Sequence, residues 1–593
     1  MRHPSLQNFY LEKPTSLLLA ITIISVFLWI GCGEFYTKGE PREASVAVSM
    51  IEKNQWILPN VYADEFAYKP PLMHWLIGVF SLPGGEVTPF SSRLPSALAF
   101  LGLIVCTFLF FGRNLRMQEA FLAALILLTT FELHRSAMDA RVDMLLTFFV
   151  VWALFRLFRW EEQKKLNGFP WLIPLIMSLA VLTKGPVGIV LPLLVFGIYL
   201  LLLRYNFWKI VGKLIPLALI AMVLPLIWYI LAYQKVGKEF LDLVWAENFG
   251  RFLGISHLNI SYDLGHKEGW WYNGAVLAAG FIPLTLLLVI SLFGLSYQRF
   301  PGFRSLWNSI IRMEKIKLFS LLSAIIIFIF CSIPISKRSV YLMPLYPFLS
   351  IFIAQYILYL TEYKAKIVRI FAVIIGVIAC IVSVITLFVV TMQWINPATL
   401  MSSITKNAAW TVQLSALWQS FHFSRLLSVI LLIVLLFSIY ILFKSFRKKL
   451  YLKTLYAVFG VYLSIFLVMD GLFFPAYKDA ISVRPIAQKL MTHYPITNNN
   501  MFVMNDLLEY SNMYGLNFYM HNSFRNFEKE SPAEGYFLIG RNDFKKVLLH
   551  YESSYTFNLL EEFTNKARDG ERIIQFYFFK KRSLTFNQRF TGV

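Results

Sequence analysis

The chain has 593 residues, of which 57% are hydrophobic, 17% aromatic and 15% charged. Too few charges remain to solvate a soluble domain of this size, and apolar runs such as residues 371–392 outlast an ordinary buried core helix, so a polytopic α-helical membrane protein is expected. The net charge of +21 would suggest nucleic acid in a soluble protein. Here the excess falls in short loops, as membrane topology requires, so no nucleic-acid partner is expected and part of the excess suits anionic membrane lipids.

The basic start and the apolar run ending Ile30-Gly31-Cys32 read as a retained first transmembrane helix. Trp29 stands where a lipoprotein signal has Leu. Windows of about 20 residues give thirteen predicted spans, at 15–33, 92–111, 117–133, 143–158, 170–183, 186–203, 212–232, 271–295, 317–334, 339–360, 367–392, 424–443 and 453–474. An inside N-terminus places the basic segments Arg113/Arg116, Arg156 to Lys165, Arg204 to Lys213, Arg299 to Lys317, Lys364 to Arg369 and Lys444 to Lys453 in the cytoplasm. The opposite segments, 34–91, 134–142, 234–270, 335–338 and 393–423, are mixed in charge and aromatic. Residues 475–593 fall on that outer side too. Their alternation of polar helical and strand-like runs predicts a small α/β domain, after a membrane domain over 1–474. Cys32, Cys106, Cys331 and Cys380 lie in or beside apolar spans and form no disulfide framework or zinc pattern.

The polar clusters all lie on the outer side. Charge near a bilayer usually lines a cavity or pathway. In the first outer loop, 34–91, Glu40, Arg42 and Glu43 could position or deprotonate an acceptor. Pro41 and Glu43 also suit a helix N-terminus, whereas Arg42 is a cation at the wrong helix end. Tyr68-Lys69-Pro70-Pro71 fixes the direction of Lys69, which suits a phosphate as a point charge. Asp139, Arg141 and Asp143 precede the fourth span, with the two carboxylates four residues apart. His257, Asp263, His266 and Lys267 could supply a divalent metal site. The Trp270-Trp271-Tyr272 group beside them reads as an interfacial aromatic belt or a sugar-stacking surface. Lys337 and Arg338, next to Tyr341, are outer cations that topology does not call for, and a bound anion accounts for them. Cations, carboxylates and aromatics together suit a lipid-linked phosphate whose growing charge is stabilised as a sugar is transferred. A transporter or flippase for a lipid-linked sugar would use the same groups, and a non-catalytic assembly protein is a third reading.

These motifs resemble the GT-C glycosyltransferases, in the branch of the undecaprenyl-phosphate aminoarabinose transferases and their protein mannosyltransferase-like relatives. Glu40, Arg42, Trp56, Pro59, Lys69, Pro70 and Pro71 fall at the family's spacings. So do Leu182-Thr183-Lys184-Gly185-Pro186, Asp143, His266-Lys267 before Trp270, and Ser336-Lys337 before Tyr341-Leu342-Met343-Pro344. The resemblance implies a monomeric inner-membrane enzyme with an outward active site. It would transfer a sugar with inversion from a polyprenyl phosphate to lipid A, another envelope glycan or a protein. Arg42, Lys69, Lys337, Arg338 and Tyr341 are then expected at the phosphate, with Glu40 or Asp143 as the catalytic carboxylate. Gly39 stands at the family's first acidic position. Tyr68 stands where the aminoarabinose transferases have a Glu that is associated, together with the His matching His266, with a metal site.

Overall fold

The computed structural model describes residues 4–37, 39–63, 65–250, 267–294, 303–392, 425–504, 513–565 and 573–582. Among the described residues every predicted span overlaps helix, and fewer than thirteen of these helices have by themselves the length and hydropathy of a bilayer crossing. Among the described residues seven helices are long and apolar enough to cross a bilayer, or up to nine if each of two bent pairs is one span. The bent pairs are Met117–Leu128 with Phe131–Ala137, at 62°, and Tyr272–Gly280 with Leu284–Leu292, at 108°. Lys13–Phe27, Leu172–Lys184 and Val187–Leu202 are apolar but short. Val142–Lys164 carries Asp143, Arg156 and Arg159, which interrupt its apolar character.

The two short helices meet at Gly185, whose φ of +88° favours glycine, followed by Pro186 at the next helix start. A Cβ at Gly188 would stand 2.6 Å from the Ala180 carbonyl carbon, so this hairpin closes only because residue 188 has no side chain. The bundle interior is aromatic. Phe110 stacks on Phe155 at 4.0 Å, and Phe158 and Phe348 pack on Phe319.

The segment after the first helix folds as the helix Gly39–Glu52, a short antiparallel hairpin (Asn60–Tyr62 with Glu65–Phe66) and the helix Leu72–Ser81. The span Pro89–Asn114 starts cleanly, because Thr88 and Ser91 form a reciprocal capping box and Pro89 occupies the first turn.

Near the C-terminus lies a five-stranded mixed sheet. Its order is Arg525–Asn526, Met501–Val503, Glu534–Gly540, Ile573–Lys581 and Tyr555–Thr564. The first three strands are parallel and the last two pair antiparallel. The C-terminal region braces the first loop. Asn522 donates to Ser45 O at 2.6 Å and Ser49 Oγ at 2.9 Å, Asn517 donates to Val61 O at 2.8 Å, and the Tyr514 hydroxyl donates to Glu65 at 2.7 Å.

Candidate active site

Four of the segments assigned to one side by charge alternation converge on a polar cavity of about 200 Å³. Arg42 enters it from the first turn of Gly39–Glu52. Its guanidinium lies 5.5 Å from the Tyr68 ring centre and 5.6 Å from that of Tyr514. Nη2 donates to the Tyr68 hydroxyl at 2.9 Å, and that hydroxyl donates to Glu247 Oε1 at 2.8 Å. Burial, with the nearby Glu247 charge, pushes the Tyr68 phenol up to about 12 against the pull of Arg42. Tyr68 therefore remains a proton donor at neutral pH.

Lys69 is aimed by the following Pro70-Pro71 and pairs with Glu43. Glu43 also holds His74 Nε2 at 2.6 Å. Burial raises the Glu43 carboxyl, but Lys69, His74 and Arg42 outweigh it and hold it well below the usual carboxylate range. Desolvation lowers the Lys69 ammonium despite Glu43.

Asp143, in the first turn of Val142–Lys164, pairs with Lys184 at the end of Leu172–Lys184. The Lys184 ammonium also sits 4.2 Å over the Tyr341 ring. Arg338 completes the wall. Its Nε is buried and has no hydrogen-bond partner, which leaves a desolvated donor for a ligand to satisfy.

This polar space adjoins an apolar groove of about 170 Å³. The two share Asp143, Lys184, Glu247, Asn248 and Tyr341. The groove continues along Leu146, Val150, Val187, Leu191, Phe330 and Pro344, between the helices.

Of the residues singled out in the sequence, Arg42, Tyr68, Lys69, Asp143, Arg338 and Tyr341 line the polar cavity, with Glu43 behind Lys69. Others lie elsewhere. Glu40 does not line the cavity. It is fully buried and pairs with Arg93 Nε at 2.7 Å, also accepting from Ala140 N at 3.3 Å. Burial raises its carboxyl, but Arg93 and Lys478 draw it below the usual range. Arg93 in turn donates to the carbonyls of Ile30, Gly33 and Glu34 at 2.9–3.2 Å. Glu40 and Arg93 thus form a buried joint between the first loop and the helix Pro89–Asn114.

Lys337 is directed away from the cavity lining as well. Its Nζ donates to Glu268 O at 3.1 Å, next to a bridge between Lys267 and Ser336 that leaves Lys267 exposed. Arg141 packs over Gly39, where a Cβ would meet Nη2 at 2.9 Å. His266, His257 and Asp263 lie outside the described residues. Among the described residues no group of three His, Cys, Asp or Glu side chains could hold a metal, and no step below uses one.

Sequence reasoning missed Lys184, Glu247 and Asn248 as cavity residues. Lys184 carried the same signal as Arg338. The predicted spans 170–183 and 186–203 leave it in an outer turn, where a cation is not needed for topology.

Comparison with known proteins places this geometry. Residues 68–229 match the family described as dolichyl-phosphate-mannose-protein mannosyltransferase. The undecaprenyl phosphate-α-4-amino-4-deoxy-L-arabinose arabinosyl transferase of Shewanella sediminis is 25% identical over 363 residues, covering 59% of this chain and 60% of that protein. A second such transferase, from Proteus mirabilis, is 26% identical over 354 residues, covering 58% and 60%. These matches span about three-fifths of the length of each relative. The crystal structure of ArnT from Cupriavidus metallidurans bound to undecaprenyl phosphate superposes with a TM-score of 0.64 at 18% identity, covering 95% of this chain and 97% of that one. The resemblance carried by the loop motifs is thereby shown: residues 68–229 match the dolichyl-phosphate-mannose-protein mannosyltransferase family, and the chain has the fold of ArnT.

Proposed function

We propose that the chain is a GT-C glycosyltransferase. It takes a sugar from a polyprenyl phosphate of the undecaprenyl type and transfers it, on the periplasmic face of a bacterial inner membrane, to lipid A, another envelope glycan or a protein. One observation carries this reading: a cation-lined polar cavity adjoins an apolar groove between membrane helices, the two sharing five wall residues. A lipid phosphate has that shape and polarity, with a charged head and a hydrocarbon tail.

In this reading Arg338, Arg42, Lys69 and Lys184 surround the donor phosphate, and the chain of the lipid lies along Leu146, Val150, Val187 and Phe330. The acceptor oxygen attacks the anomeric carbon from the face opposite the phosphate. The bond from that carbon to the phosphate oxygen breaks, and its electron pair leaves on the phosphate. Cations fixed around the leaving group stabilise the charge that develops there. With a hydroxyl acceptor, Asp143 takes the proton. A neutral Asp143 no longer holds Lys184, whose ammonium then turns to the new phosphate charge. Glu40 is assigned to scaffolding and Lys337 to holding residues 267–268. Residues 1–474 form the membrane catalytic domain, with 475–593 as an extramembrane domain that braces its first loop, and the protein works as a monomer.

The test is transfer of label from radiolabelled polyprenyl-phosphate sugars, by the purified protein, to lipid A or to a membrane extract. Label that moves with wild type, and not with Asp143→Asn or Arg338→Gln, supports the enzyme. Label that crosses a proteoliposome membrane with no covalent change would replace it with a lipid-linked sugar transporter.

A further inference from the structure

A second cluster of cations lies at the far end of Val142–Lys164, the helix that brings Asp143 to the cavity, and of its neighbour Pro89–Asn114, and nothing in the proposed reaction uses it. Arg113 is in the last turn of Pro89–Asn114, and Arg156 and Arg159 lie three residues apart near the end of Val142–Lys164. The two helices are clamped together beside the arginines, by Phe110 three residues before Arg113 and by Phe155 and Phe158 immediately before Arg156 and Arg159. Phe110 stacks on Phe155 at 4.0 Å and packs edge-on against Phe158 at 5.4 Å.

Arg156 and Arg159 are half-buried and Arg113 is exposed. The charges of Arg113 and Arg156 both act on Arg159, and those of Arg156 and Arg159 reach down to Cys106. Among the described residues none of the three forms an ion pair with a carboxylate. Glu162, whose charge also reaches Arg159, does not bridge to it.

Topology requires only that basic residues stand on one side of the membrane. That is met by exposed side chains in loops, which repel one another little in water. It does not require three guanidinium groups gathered on two helices at the edge of the apolar zone, where they raise one another's energy. A shared anion relieves that repulsion.

The seam leading away from the arginines is apolar. Phe148 and Trp152 stack at 5.4 Å, eight and four residues before Arg156 along the same helix. Across from them, a Cβ at Gly102 would meet the Phe148 ring at 2.7 Å. Gly102, Cys106, Phe148 and Trp152 are all half-buried. A basic mouth between membrane helices over an apolar seam matches the chemistry of an acidic phospholipid.

We propose that Arg113, Arg156 and Arg159 bind the phosphate of an acidic phospholipid whose acyl chain lies on the Phe148–Trp152 seam. This site is independent of the donor cavity and of the proposed reaction.

The experiment measures the melting temperature of the full-length protein in a neutral detergent. Phosphatidylglycerol, phosphatidylcholine or inorganic phosphate is added, and bound lipid is counted by native mass spectrometry. The variants are R113Q/R156Q/R159Q and R447Q/K448Q/K453Q. The second set removes three exposed charges at another basic turn. Phosphatidylglycerol is expected to raise the melting temperature and to give one retained lipid in wild type and in the R447Q/K448Q/K453Q protein. Both effects should be absent from R113Q/R156Q/R159Q, and phosphatidylcholine and inorganic phosphate should have little effect on any protein. If the triple arginine variant does not fold, R159Q alone should lose most of the gain, and Arg159→Lys should recover part of it. An equal gain in both triple variants, an undiminished gain in R159Q, or a full gain from phosphatidylcholine or inorganic phosphate overturns the site.

Discussion

Asp143 and Lys184 form one ion pair that walls two different spaces, the polar cavity and the apolar groove. The pair joins the first turn of one helix to the last residue of another. In the proposed reaction Asp143→Asn removes the proton acceptor and leaves the cations in place. Transfer to a hydroxyl acceptor should fall by about 10²–10⁴, the usual weight of general base catalysis, with binding of polyprenyl phosphate retained. Steady-state transfer and lipid binding, measured side by side, check this. Unchanged transfer removes Asp143 from the chemistry.

Arg338 brings a buried Nε with no hydrogen-bond partner. Arg338→Gln should weaken lipid-phosphate binding by about 1.5–3 kcal/mol, the worth of a hydrogen bond to a charged group. Arg338→Lys should recover only part, because an ammonium lacks the planar fork. Titration with polyprenyl phosphate reads both effects.

Glu40 and Arg93 are both fully buried. Breaking a buried pair by removing one partner costs about 3–5 kcal/mol, so Glu40→Gln should lower the melting temperature markedly. The molecules that remain folded should transfer sugar at close to the wild-type rate. A variant of normal stability without transfer would return Glu40 to the chemistry.

Glu43 gives a pH dependence with a definite sign. Its folded-state carboxyl lies well below the unfolded value of 4.5. The stabilisation is therefore fully present above about pH 4.5 and is lost as pH falls through the depressed folded value. Melting temperatures taken from pH 7 down to pH 3 should drop more steeply for wild type than for Glu43→Gln.

Gly185 has φ +88° and ψ −160°, and a Cβ there would lie 2.6 Å from Asn248 Oδ1. Gly185→Ala should cost about 1–3 kcal/mol in backbone strain and push residue 248 from the cavity wall. Adding Asn248→Ala should relieve the contact but not the strain, so melting temperature should recover only in part.

The membrane class and most of the cavity could be read from the sequence because both depend on local signals. Apolar runs mark helices, and a cation or carboxylate placed against topology marks a site, as with Arg338 and Asp143. The placement of Glu40 was not legible because its partner, Arg93, lies 53 residues away inside an apolar helix, where sequence gives no hint of a mate. Lys337 and Arg338 are adjacent yet diverge, since only the backbone path decides which one faces the cavity. The count of thirteen spans is supported only in part, because some of the helices on those runs are apolar but short. Leu172–Lys184 has 13 residues, about 20 Å of helix against a hydrocarbon core of about 30 Å.

The relay from Arg42 through Tyr68 to Glu247 has a consequence for how an anion enters. Lys69 already faces Glu43, Lys184 faces Asp143, and Arg42 reaches Glu247 through a phenol. The cavity therefore neutralises most of its own charge, and in the proposed reaction a phosphate arrives largely by exchange with resident carboxylates. Its affinity is the difference between two anions competing for the same cations. Selectivity follows from geometry: a ligand that offers several acceptor oxygens at once displaces a carboxylate, and a simple monovalent ion does not.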